Sequence, residues 1–146
     1  MLRIFTLVCI FWVNISFAAD AVYTSWTNNN ALSGYDTVAY FTQNKPVKGS
    51  KKYKTSYRGA HWLFSSAENL ATFKNDPKKY APQYGGHCAW ALAVKNSQVS
   101  GDPQQWNIVD GKLYINYDKG VKNKWEKNIP GFIKVADSNW PALLNK

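Results

Sequence analysis

The chain has 146 residues, with 18 Lys and Arg against nine Asp and Glu, for a formal charge of +9. That length suits one domain with its own core. Met1 is the only methionine, which excludes a methionine-rich copper site.

In chain order, residues 1–18 read as a secretory signal peptide. Arg3 is the positive start, residues 4–13 form the apolar run, and Ser16-Phe17-Ala18 is a small-x-small cleavage site. The run is shorter than the roughly 20 residues that span a bilayer, so no transmembrane segment is expected after cleavage. The protein is therefore expected to be exported, as a periplasmic or secreted protein. Its basic charge then draws it to an anionic envelope component. Export, and lysines scattered from Lys45 to Lys134, argue against nucleic acid. Cys9 lies within the leader, so the mature chain keeps Cys88 alone and has no intramolecular disulfide.

Residues 19–30 are polar and turn-rich and predict a flexible arm before a domain over residues 31–146. Val38-Ala39-Tyr40-Phe41-Thr42 predicts a strand. Tyr53 to Arg58, Gly59-Ala60 and His61 to Ser65 predict an antiparallel hairpin with Trp62 and Phe64 on one face. Ser65-Ser66-Ala67-Glu68 predicts a helix start with Ser65 as the N-cap and Glu68 bonding back. Asp76-Pro77 predicts a second start, with Asp as cap and Pro in the first turn.

The segment Tyr84-Gly85-Gly86-His87-Cys88-Ala89-Trp90 follows. Three alanines, an entry at Gly85-Gly86 and a stop at Asn96 favour a helix over His87 to Val94, although a strand also fits. Gly101-Asp102-Pro103 predicts a turn or short helix. Asp110-Gly111, between Trp106-Asn107-Ile108-Val109 and Lys112 to Tyr117, is a type I′ hairpin pair. Asp118 predicts a helix cap, and a last helix carries Phe132, Ile133, Ala136 and Trp140. The sum is a small single α+β domain of antiparallel hairpins packed with short helices.

From Ala31 to Pro141 the chain resembles the long, exported kind of YHS-domain protein. The resemblance rests on Gly34-Tyr35-Asp36 with Val38-Ala39-Tyr40-Phe41, Lys45-Pro46-Val47-Lys48-Gly49, and Phe64-Ser65-Ser66-Ala67-Glu68-Asn69. It continues through Asp76-Pro77 with Tyr80 to Gly86, Cys88-Ala89, Gly101-Asp102-Pro103, Val109 to Tyr114, Trp125-Glu126-Lys127, and Ala136-Asp137 with Asn139-Trp140-Pro141. Short YHS modules occur with metal-transporting ATPases and metal enzymes, where cysteines suggest metal binding. Here no cysteine stands near Gly34-Tyr35-Asp36, and Ser65-Ser66 fills the region where those modules carry one. That cysteine cluster does not carry over.

Three functions remain open on the residues. Cys88 with His87 and His61 suits copper or zinc, and would make a binding module that handles or senses a metal. Neighbours in a strand or helix diverge, so His87 and Cys88 share an ion only if Gly85-Gly86 distorts the backbone. Carboxylates such as Asp36 or Asp102, water or a second chain would complete the set. Alternatively Cys88 is structural, and an envelope protein binds a non-metal ligand or partner. Tyr35, Tyr40, Trp62, Tyr84, Trp90 and Trp106 would then line an aromatic pocket, with Lys45, Lys48, Lys51, Lys52, Lys54 and Arg58 as the densest basic stretch. Third, Cys88 acts as a nucleophile with His61 or His87 as base. No spacing selects this, and a non-catalytic protein is expected.

Overall fold

The computed structural model describes residues 21–145; residues 1–18, expected to be a signal peptide, and Cys9 within them lie outside that range. Among the described residues two antiparallel hairpins and six short or medium α-helices, with three short 3-10 turns, form the α+β domain. Chain order is α1 (Ala39–Thr42), β1 (Ser50–Tyr57), β2 (Ala60–Phe64), α2 (Ala67–Asn75) and α3 (Pro77–Tyr80). Then come α4 (Ala89–Lys95), β3 (Asp102–Val109), β4 (Lys112–Asn116), α5 (Lys119–Trp125) and α6 (Ile129–Leu144).

Both hairpins close through two-residue turns whose central residues have positive φ, Arg58-Gly59 and Asp110-Gly111. The mirror-image turn matches the twist of the strands it joins. The first turn lies one residue earlier than the Gly59-Ala60 expected, because Ala60 already pairs with Tyr57.

The predicted strand at Val38 to Thr42 is instead a helical turn. The Asp36 carboxylate Oδ1 accepts from the backbone N–H of Val38 (2.9 Å) and of Ala39 (3.2 Å). This side-chain cap overrides the β preference of the run. The capping serine also differs from expectation. Ser66 accepts from Asn69 N at 3.1 Å and starts α2, while Ser65 is drawn to Asp36. Asp102 begins β3 rather than a turn or helix. A register shift between Asp102 and Trp106 accommodates Pro103, which cannot donate to a ladder.

Other helix signals act as read. Asp76 accepts from Lys79 N with Pro77 in the first turn, Asp118 accepts from Val121 N, and Asn96 ends α4 at φ +47°. Residues 21–30, expected to be a flexible arm, lie against the domain. Tyr23 N donates to Gly85 O, and residues 29–31 exchange backbone bonds with His61 on the side of β2 away from β1.

Three apolar clusters make the core. In the first, Trp62 stacks on Phe73 (centroids 5.0 Å apart) beside Phe64. The second joins Tyr84, Tyr114, Trp125 and Trp140 where α4 meets α6. The third links the two halves through Leu32 and Tyr40 against Leu113 and Ile115. Among the described residues, no helix is long and apolar enough to cross a membrane.

Candidate functional site

Cys88 is fully buried just before α4. Its thiol lies 3.7 Å from the Asn116 carboxamide oxygen, which also accepts from Trp90 N at 3.1 Å. Burial pushes the thiol pKa up, and this outweighs the amides of Ala91, Tyr117 and Trp90 that would favour a thiolate. A neutral buried thiol suits packing better than nucleophilic chemistry.

His87 is also buried, with its ring between Tyr23 and Trp140 and its Nε2 3.4 Å from Gln98 Nε2. His61 belongs to the first hairpin, where its Nδ1 meets Ser56 Oγ at 3.3 Å. The two histidines and Cys88 thus engage different neighbours. Among the described residues no group of three His, Cys, Asp or Glu side chains is placed to hold a metal ion. Asp36 is fully buried and accepts from five donors of its own domain, while Asp102 caps Gln104 N.

The six aromatics predicted to share a pocket do not. Trp62 is core, Tyr40 and Trp106 meet edge to face, and Tyr35 lies under Lys48. Trp90 faces Lys95 and Lys124. Only Tyr84 borders a cleft at the hairpin tips.

That cleft, of about 610 Å³, opens between the tips of both hairpins, α3 and α6. Tyr57, Tyr84 and Trp140 supply aromatic wall. Arg58, Lys78, Lys79 and Lys112 bring four cations against Asp76, Asp110 and Asp137. Two of those carboxylates are already engaged, Asp76 with Lys79 N and Asp137 with the Tyr84 hydroxyl at 2.8 Å. Tyr57 holds Arg58 in place, its ring 5.3 Å from the guanidinium carbon.

Seven non-glycine residues have positive φ among the described residues, and three of them, Arg58, Tyr84 and Asp110, line this cleft. Asp tolerates that region; Arg and Tyr do so at a cost of about 1–2 kcal/mol each. Sequence reasoning placed Arg58 in a basic run and Tyr84 in a pocket, but missed Tyr57, Lys78, Lys79, Lys112, Asp137 and Trp140 as parts of one site. The available signal was an Arg-Gly turn where Asn-Gly or Asp-Gly is preferred.

Burial raises the phenol pKa of Tyr114 to about 12, and raises those of Tyr40 and Tyr84 as well. For Tyr84 the Asp137 carboxylate adds to the effect. Each phenol ionises more readily in the unfolded chain, at its ordinary value of 10.0. Stability is therefore full below pH 10.0 and falls as pH rises toward the folded value of about 12. Denaturation midpoints measured across that range should decline, with part of the tyrosinate absorbance delayed until the chain opens. A flat midpoint would show these phenols to be ordinary.

No curated protein and no solved structure matches the chain. Residues 38–84 match the family model of the YHS domain, which covers α1, the first hairpin, α2, α3 and Tyr84 and stops short of His87 and Cys88.

Proposed function

We propose that the chain is an exported, non-catalytic binding module. Its cleft takes a small ligand with an anionic group and an apolar or aromatic part, and Cys88 is a packing residue. The observation that carries this reading is Arg58, held at φ +49° in a turn that another residue type would close better, with its side chain at the cleft. A local rule broken beside a cavity is an expected mark of a binding site. Lys78, Lys79 and Lys112 supply further charge, and Tyr57 and Trp140 supply apolar wall.

Calorimetric titration with 1-naphthyl phosphate, inorganic phosphate and 1-naphthol tests it. The naphthyl phosphate should bind best, and Lys78→Gln with Lys79→Gln should weaken it about tenfold, the scale of a lost charged hydrogen bond. Equal heats for all three probes, or binding unchanged in that variant, would remove the cleft from consideration.

A metal-handling reading, through Cys88 with His87 or His61 and copper or zinc, draws on the amides of Trp90, Ala91 and Tyr117 that favour a thiolate. Short YHS modules that occur beside metal transporters and metal enzymes also point in this direction. Two measurements separate the readings. A disulfide reagent should leave Cys88 unmodified in the folded protein and react once it is denatured. Protein purified without chelator should carry no copper or zinc that Cys88→Ala removes. Stoichiometric metal lost in that variant would make the metal reading the right one.

A further inference from the structure

We infer that a second surface, separate from the cleft, docks the protein on an anionic lipid bilayer through Trp26 and the outer edge of β1. Trp26 is 97% exposed, the most exposed of the large apolar side chains among the described residues. It does not sit on a loose tail. Asn28 N donates to Ser25 O, Thr27 N to Ser25 Oγ, and Asn30 N to the Asn28 carboxamide oxygen, which closes the turn that presents the indole. Asn29 Nδ2 then donates to Gly59 O at 2.6 Å and ties this turn to the tip of the first hairpin. An indole displayed on an ordered turn has already lost much of the entropy that docking would cost.

The neighbouring charge is one-sided. From Thr37 to Ala67 there is no acidic residue, while Lys45, Lys48, Lys51, Lys52 and Lys54, all outside the cleft, are present and exposed. Lys48 is held by Ser33 O and the Tyr35 ring. Lys51, Lys52 and Lys54 lie along β1, whose outer edge pairs with no other strand among the described residues. The chain at residues 29–31 flanks β2 on its other side, so at the level of His61 it lies two strand spacings, roughly 10 Å, from Ser56 of β1, and Lys54, Lys52 and Lys51 follow along β1 away from the hairpin tip.

Charge complementarity selects an anionic partner, and the protruding indole selects a bilayer over a soluble polyanion. Trp settles at the headgroup level with its ring in the acyl boundary and its N–H toward water. Lysines beside it gain from the negative surface potential.

Co-sedimentation of the purified protein with vesicles of phosphatidylglycerol and phosphatidylcholine, and of phosphatidylcholine alone, tests the inference. Binding should require phosphatidylglycerol and fall as salt rises. Trp26→Ala should weaken it about fivefold, and Lys51→Gln with Lys52→Gln and Lys54→Gln about tenfold. The fluorescence lost in Trp26→Ala should be the part that shifts to the blue on vesicles. Lys78→Gln with Lys79→Gln should bind vesicles as the parent does, so failure of the cleft and failure of the docking surface are distinguishable. Vesicle binding that ignores Trp26→Ala, or that depends only on the cleft lysines, would overturn the inference. So would retention by soluble polyphosphate in place of vesicles.

Discussion

Asp36→Asn should destabilise the fold by about 3–5 kcal/mol, although it changes only one oxygen to an amide nitrogen. Asp36 is fully buried. Its Oδ1 accepts from Val38 N and Ala39 N, and its Oδ2 from Ser65 N (2.8 Å), Ser65 Oγ (2.6 Å) and Asn69 Nδ2 (2.7 Å). A carboxamide has one acceptor oxygen. Whichever way it turns, its NH₂ faces at least two N–H donors, and buried donors without an acceptor cost about 1–3 kcal/mol each. Asp36→Ala should cost a similar amount, because all five donors then lose their partner. Urea midpoints for the two variants check this. A shift below about 1 kcal/mol for Asp36→Asn would mean that the surroundings readjust and that Asp36 is not the anchor described.

The effect is large because one carboxylate joins three pieces of the chain. It caps α1, fixes the end of β2 and holds the first turn of α2 through Asn69. This also explains why Ser65 does not cap α2: its hydroxyl is spent on Asp36, and Ser66 takes the cap. From the residues alone, Asp36 stood out within Gly34-Tyr35-Asp36 but served equally well as a ligand for an ion. Only contacts across some thirty residues distinguish an anchor from a ligand, and spacing carries no record of them.

What was legible follows the same division. The two hairpins were readable because a two-residue turn is decided by local φ preferences, and Asp110-Gly111 states them outright. Caps at Asp76 and Asp118 were readable for the same reason. Val38 to Thr42 was misread because β-branched and aromatic residues favour strands until a side chain from outside the run caps it as a helix. Of the cleft only Tyr84 and Arg58 had drawn notice, since Tyr57-Arg58, Lys78-Lys79, Lys112 and Trp140 come together only through the tertiary fold. The three Cys and His residues drew notice by type, and type does not say that Cys88 faces Asn116 while His61 faces Ser56.

Arg58→Asn separates the local cost of this residue from its use. Asn enters the left-handed region more readily than Arg, and Asn-Gly is a preferred type I′ pair. The substitution should therefore stabilise the hairpin by about 0.5–1 kcal/mol, reduced by the loss of the contact with the Tyr57 ring. Binding of 1-naphthyl phosphate should move the other way and weaken at least about tenfold, because a guanidinium that can grip a phosphate through two N–H groups is gone. Arg58→Lys keeps the charge and the strained backbone but not the fork, so it should bind at an intermediate level with no gain in stability. That ordering is hard to produce by misfolding, since the variant that binds worst would be the most stable. Thermal melts and titrations on the three proteins decide it. If Arg58→Asn binds as the parent does, Arg58 is only a tolerated turn residue; if it binds worse and also melts lower, the turn rather than the guanidinium was at issue.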